Sequence, residues 1–303
     1  MSGLKDKVLF ITGASRGIGL EVALKAARDG AKVVIAAKTA EAHAKLEGTI
    51  YSAAEAVDKA GGEALPLVVD VRSEESVAEA LAAAAKRFGG VDIVVNNASA
   101  IGLVGTEALD MKRYDLMHAV NARGTFLVSK LAIPYLRQAA NPHVLTMSPP
   151  PELNPQWFKP YTAYAMAKYG MSMVVLGLAE EFRDEGIAFN ALWPRTTVAT
   201  AAIAFEGGGD AVMKTSRKPQ IMADAAHAIL TRPSRKTTGR FFIDDSVLYD
   251  AGVRDFGPYR MDPTALLTPD IFVPPSDEPP PGVAETLAAK SALQLKEKSL
   301  ARP

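Results

Sequence analysis

The chain has 303 residues with 34 basic and 34 acidic side chains, so its formal net charge is zero. That balance excludes the basic field that general nucleic-acid binders and anionic-membrane binders require. There is no cysteine, which excludes disulfides, thiolate catalysis and cysteine metal sites and suits a reducing compartment. Hydrophobic residues make up 48%, enough for a sizeable core, and the length fits one large α/β domain with an appendage or two small domains. The apolar run at residues 8–11 is closed by Gly13, too early for a signal peptide or a membrane span. The terminal Leu-Ala-Arg-Pro is not a peroxisomal address, so the expected location is the cytoplasm.

In chain order, β-rich runs at residues 7–12, 31–36, 64–69 and 91–95 alternate with helical stretches such as 19–29 and 74–88. Further strands are expected at 143–147, 187–192 and 240–244, and helices at 109–138, with a break, and at 163–185. Near-continuous apolar strands separated by helices predict a parallel sheet covered on both faces. The reading is a single α/β domain, doubly wound in the Rossmann manner, over residues 1–260. Residues 261–303 change character: Pro263, Pro269, Pro274, Pro275 and the run 279–281 predict an extended or irregular extension. It reads as a tail draped over the surface or as a functional arm, with a short terminal helix possible over 282–300.

The segment from Thr12 to Gly19 follows a strand and opens a helix. Gly13, Gly17 and Gly19 let the backbone turn tightly and approach a pyrophosphate, which would lie on the helix N-terminus beside Ser15, Arg16 and Ile18. An NAD site usually carries an acid at the end of the second strand; this strand ends Ala36-Ala37-Lys38. Arg16 and Lys38 would attract a 2′-phosphate, so NADP(H) is expected rather than NAD; the alternative is that both are solvated surface charges.

Tyr164 and Lys168 stand four apart in an expected helix and therefore share a face. A cation near a phenol stabilises the phenolate and makes tyrosine a usable acid–base group. Asn97 and Ala98 end the fourth strand, Asn121 stands mid-helix and Ser148 ends the strand before the tyrosine helix. In this order the glycine turn, Asn-Asn-Ala, helical Asn, strand-end Ser and Tyr-x-x-x-Lys resemble the short-chain dehydrogenase/reductase family, over about residues 5 to 250. The resemblance implies that Tyr164 exchanges the proton with the substrate and that Lys168 tunes it and holds the nicotinamide ribose. It also implies that Asn121 anchors a relay water and that Ser148 orients the substrate carbonyl. Asp70 and Val71 would meet the adenine, though Asp70 could instead cap the next helix, and Thr196 and Thr197 would lie beside the cofactor. Family members are commonly dimers or tetramers, and the helices at 109–138 and 163–185 would supply such an interface.

Three positions depart from the family pattern. Ser99 stands where a glycine is usual, and Arg195 follows Pro194 where a glycine is usual; Arg195 could reach an acidic substrate or face solvent. The family serine stands thirteen residues before the tyrosine, where this chain has Pro151; Ser148 is sixteen before, followed by Pro149 and Pro150. Either the loop is longer and Ser148 still serves, or its role is vacated.

Met147-Ser148-Pro149-Pro150, the stretch Asn154 to Lys159 and Asn190-Ala191-Leu192-Trp193-Pro194 resemble the hydroxysteroid dehydrogenase-like protein 2 group, here without a sterol-carrier domain. That implies a small carbonyl or alcohol substrate, apolar and acyl or steroid-like. Trp157, Phe158, Met166, Trp193, Ile203, Phe205 and Met213 would flank its pocket or, as such residues more often do, belong to the core. Residues 197–218, with Gly207 to Gly209, suit a mobile lid over the cofactor or an ordinary flexible loop. The rival function is an NADP(H)-binding sensor or interaction protein with little turnover.

Overall fold

The computed structural model describes residues 3–42, 46–205 and 208–288. Its strands are β1 (Val8–Thr12), β2 (Lys32–Ala37), β3 (Glu63–Val68), β4 (Ile93–Asn96), β5 (His143–Thr146), β6 (Ala188–Trp193) and β7 (Phe241–Ile243). Every strand lies within two residues of its expected place. They pair in parallel in the order β3-β2-β1-β4-β5-β6-β7. The cause is a two-sided apolar pattern: Leu9 and Ile11 join the core on one face, Val8 and Phe10 the core on the other. β3, an edge, is partly exposed along its whole length, and it tolerates Pro66 because an edge strand has a free side.

The helices are α1 (Gly17–Arg28), α2 (Ile50–Lys59), α3 (Glu74–Phe88), α4 (Met111–His118), α5 (Gly124–Leu136), α6 (Thr162–Glu181), α7 (Ala201–Phe205), α8 (Asp210–Lys214), α9 (Gln220–Leu230) and α10 (Asp244–Asp250). α1, α2, α9 and α10 cover one face of the sheet; α3, α5 and α6 cover the other. The chain leaves β1 in one direction for β2 and β3, then returns to place β4 on the other side of β1. That reversal opens a crevice at the carboxyl ends of β1 and β4, where ligands of such sheets bind.

The expected break in the 109–138 helix is a π turn at Ala119–Arg123, which joins α4 to α5 and carries Asn121. The lid segment is two short helices, α7 and α8, separated by a turn that includes Gly208 and Gly209; Gly207 lies outside the described residues.

The C-terminal extension is irregular, as expected, and largely at the surface, but it is anchored by buried side chains rather than loosely draped. Leu267, Phe272 and Val283 are buried. Thr197 N–H donates to Thr268 O at 2.9 Å, and Asp270 N–H donates to Arg195 O at 2.9 Å. Residues 282–288 hold a single 3-10 turn, Ala284–Thr286, where a longer terminal helix was expected, and residues 289–300 lie outside the described residues.

Arg195 neither faces solvent nor reaches toward a substrate. It is 3% exposed; its Nε meets Asp245 Oδ1 at 2.7 Å and its Nη2 meets Asp277 Oδ1 at 2.5 Å. A guanidinium this deep requires fixed partners, and Asp277 of the extension is one of them.

Candidate active site

The crevice begins at a stitched turn. Thr12 Oγ1 donates to Val95 O at 3.2 Å and accepts from the N–H groups of Asn97 and Ala98 at 3.0 Å each. Asn97 Nδ2 donates back to Thr12 O at 2.9 Å and Gly13 O at 3.1 Å. This ties the β1–α1 turn to the end of β4. Gly17 has φ +59, a conformation that other L residues rarely adopt, and a Cβ on Gly19 would lie 2.5 Å from Asn97 Nδ2. α1 therefore starts close against the β4 end. Arg16 stands at its cap and makes no side-chain cap bond, so the first-turn N–H groups are left for a ligand.

At the far end of β2, Lys38 Nζ lies 3.2 Å from Asp70 Oδ2, and Arg72 grips the same carboxylate through Nε at 2.9 Å and Nη2 at 2.6 Å. The Arg72 guanidinium, with Lys38 behind it, holds the Asp70 carboxyl well below the usual carboxylate range. Asp70 does not cap α3; Ser73 does, accepting from Ser76 N–H. Arg16 donates to Glu47 O at 2.8 Å and Gly48 O at 2.7 Å. Arg16, Lys38 and residues 39–42 border a side pocket there.

At the opposite end, α6 presents Tyr164 and Lys168 one turn apart, both nearly buried and both lining the same cleft of about 500 Å³. Lys168 Nζ donates to Met147 O at 3.0 Å and stands 5.2 Å from the Trp193 ring centre. Burial pulls its ammonium down to about 8. Burial and the charge of Asp270 push the Tyr164 phenol above its ordinary range. Asp270, from the extension, lines the cleft with them, and burial pushes its carboxyl up to about 7.

The cleft wall includes Gly13, Ser15, Arg16, Gly17 and Ile18 from the turn, and Lys38, Asp70 and Val71 from the strand ends. Asn97 and Ala98 continue it to Tyr164 and Lys168. Gly19 stands just behind, packed on Asn97. Four expected residues are placed elsewhere. Asn121 spends its amide on Ala100, accepting from its N–H at 2.8 Å and donating to its carbonyl at 2.9 Å. Ser148 is fully enclosed, and its Oγ has no partner among the described residues; Met147 forms the wall there instead. Thr196 and Thr197 are wholly buried, and Thr197 Oγ1 pairs with Ser216 Oγ at 2.7 Å. Of the expected apolar wall, Trp193 and Ile203 line the cleft. Trp157 and Phe158 pack in the aromatic cluster around Phe272, Met166 and Phe205 point to solvent, and Met213 stands off the cleft wall.

The short chain dehydrogenase family model matches residues 7–206. The chain belongs to the short chain dehydrogenase family. It is 57% identical over 265 residues to hydroxysteroid dehydrogenase-like protein 2 of Danio rerio, covering 88% of this chain and 63% of that one. Against the Homo sapiens protein of the same name it is 52% identical over 293 residues, covering 96% and 69%. It thus spans about two thirds of the length of these relatives. A solved structure from Xanthomonas campestris is 56% identical with a TM-score of 0.87, covering 90% of this chain and 99% of that one. A short chain dehydrogenase of Mycobacterium thermoresistibile is 50% identical with a TM-score of 0.86, covering 92% and 99%.

This is a family of oxidoreductases that bind a nicotinamide cofactor, and the cleft fits such a group. The turn's unpaired N–H groups suit a pyrophosphate, and the cleft runs unbroken from there to Tyr164 and Lys168. Among the described residues no helix is long and apolar enough to cross a membrane. Sequence reasoning missed Asp270 and Ile271 in the cleft wall, since no spacing ties them to the tyrosine helix. It also missed Thr12, whose hydroxyl organises the turn; a Thr before the first glycine is the signal that was there to read.

Proposed function

We propose that the chain is an NADP(H)-dependent oxidoreductase acting on a carbonyl or secondary alcohol of an apolar substrate. The observation that carries this reading is the cleft that joins the phosphate-binding turn to Tyr164 and Lys168. A nicotinamide bound along it supplies or accepts the hydride. Tyr164 holds its phenolic proton toward the substrate oxygen, giving it up in reduction and recovering it in oxidation. Lys168 is fixed by Met147 and places its charge one helical turn from the phenol, which favours the phenolate when the proton leaves. The aromatic and aliphatic wall of Leu103, Trp193, Ile203 and Ile271 excludes water and supports an apolar substrate.

NADP(H) rather than NAD(H) is supported by the missing acid after β2. Lys38 takes that position, and Arg16 borders the same side pocket. A homo-oligomer is supported by exposed Met166, Met173 and Leu176 on α6 and Phe126 on α5. The enclosure of Ser148 favours a second reading, an NADP(H)-binding protein with little turnover. The test is NADPH oxidation over a panel of ketones, acyl and steroid carbonyls, with Tyr164→Phe and a parallel NADH series. Turnover that prefers NADPH and disappears in the variant supports the enzyme; tight NADPH binding without turnover supports the second reading.

A further inference from the structure

We propose that Asp270, carried by the C-terminal extension, is a direct hydrogen-bonding contact for the substrate oxygen, standing with Tyr164 where the enclosed Ser148 does not reach. The inference rests on the dehydrogenase reading and deepens it. Asp270 lies beyond residues 7–206, the stretch that the family pattern covers. Its backbone is nevertheless part of the site. Thr197 N–H holds Thr268 O at 2.9 Å, Asp270 N–H reaches Arg195 O at 2.9 Å, and Trp193 Nε1 donates to Ile271 O at 2.8 Å.

The carboxyl is half committed. Oδ1 accepts from Ile271 N–H at 2.7 Å, while Oδ2 accepts from no described residue. The residue is partly exposed and lines the cleft with Tyr164 and Lys168. Ser148, the serine nearest to the family position that Pro151 occupies, is 0% exposed and its hydroxyl is unpartnered among the described residues. A free polar atom in an apolar cleft next to the acid–base pair is where a substrate oxygen would be met.

Its ionisation decides which contact it makes. The charged groups acting on it are Lys168 on α6 and Asp244 at the start of α10, with the phenol of Tyr164 nearby. Burial and Asp244 push the carboxyl up to about 7, against the pull of the Ile271 N–H and Lys168. The acid form is an O–H donor; the carboxylate only accepts. In reduction, a bound reduced nicotinamide would supply the hydride for the new C–H bond as the carbonyl π bond opens onto oxygen. Tyr164 passes its proton to that oxygen, and Asp270 keeps its own while donating a hydrogen bond to the growing charge. The ionised form would repel that charge and the Tyr164 phenolate alike.

The test compares native protein, Asp270→Ala, Asp270→Asn and Ser148→Ala. Ketone reduction is followed as kcat/KM against pH, and NADPH binding by fluorescence. Asp270→Ala is expected to lose roughly 10²-fold in kcat/KM, the scale for removing one such donor, with NADPH binding unchanged. Native kcat/KM should fall as pH rises past about 7. Asp270→Asn, which keeps a donor without titrating, should stay active and lose that fall, and Ser148→Ala should stay near native. A second readout needs no turnover: carbon-13 NMR of labelled aspartate in the dead-end complex with NADP⁺ and cyclohexanone. A carboxyl resonance that titrates near neutrality, vanishes in Asp270→Asn and moves when the ketone is added is the expected result. Native-like activity in Asp270→Ala would overturn the proposal, as would a pH profile unchanged in Asp270→Asn or a resonance indifferent to the ketone. A native protein that binds NADP⁺ but reduces no carbonyl would sink the dehydrogenase reading, while the NMR result still decides for or against Asp270.

Discussion

The indole Nε1 of Trp193 donates to the carbonyl oxygen of Ile271 at 2.8 Å, both atoms out of water. Trp193 ends β6, and Ile271 lies in the extension, so this bond joins the sheet to the wall that the extension adds to the cleft. Trp193→Phe keeps a smaller aromatic ring and strands the carbonyl. The expected loss is about 1–3 kcal/mol, the penalty for a buried group left unpaired. Urea unfolding reads the stability. KM for the substrate should rise while NADPH affinity holds, because the nucleotide half of the cleft is built from other elements.

The cluster beneath the extension separates a buried charge from a half-exposed one. Asp245 is 0% exposed and meets Arg195 Nε at 2.7 Å and Arg217 Nη1 at 2.8 Å. Asp245→Asn leaves two buried guanidinium groups short of countercharge and should cost about 3–5 kcal/mol. Asp277 also meets Arg195, but its side chain is 31% exposed, so Asp277→Asn should cost about 1 kcal/mol or less. Equal urea midpoints for the two variants would mean that burial does not set the strength of this cluster.

Cofactor choice is testable at one residue. Lys38→Asp restores an acid at the end of β2, removes a cation from the side pocket and repels a 2′-phosphate. A hydrogen bond to a charged group is worth about 1.5–3 kcal/mol, so the NADPH to NADH affinity ratio should drop roughly 10- to 100-fold. Fluorescence titration of both nucleotides checks it. A ratio left unchanged would assign Lys38 to holding Asp70 alone.

What was legible in the sequence follows a physical division. The strands could be placed because both sheet faces are buried, which writes continuous apolar runs such as residues 8–11. Tyr164 and Lys168 could be paired because four residues make about one helical turn. The extension was legible only in its backbone. Its prolines forbid regular structure, and they say nothing about burial, so Phe272 at 0% exposure and Asp270 in the cleft had no local signature. Arg195 misled for the opposite reason: a lone arginine after Pro194 reads as a surface group, and its partners Asp245 and Asp277 are fifty and eighty-two residues away. Ser148 and Thr197 illustrate the remaining limit: a motif places a side chain on an element without fixing which way it turns.

His143 opens β5 at 1% exposure, with Nε2 at 2.9 Å from Arg232 O and Nδ1 unpartnered among the described residues. Burial pulls the imidazole down from its ordinary 6.5 to about 4. Above 6.5 both folded and unfolded chains hold it neutral, and stability does not depend on it. Between 6.5 and 4 the unfolded chain takes a proton that the folded chain refuses, so stability falls with pH, by about 3 kcal/mol when pH 4 is reached. Asp244 and Asp270 act oppositely in part of this window, because carboxyls pushed up to about 6 and 7 bind protons more tightly in the fold than in the unfolded chain. Their gain opposes and outweighs the histidine's loss, so the His143 contribution must be isolated as a difference. His143→Gln offers an uncharged donor that does not titrate. Urea unfolding of native and variant at several pH values from 7.5 to 4 should show native minus variant shrinking by about 3 kcal/mol as pH falls. A difference that stays constant across the series would mean that His143 is protonated in the fold, with a protein or water acceptor at Nδ1.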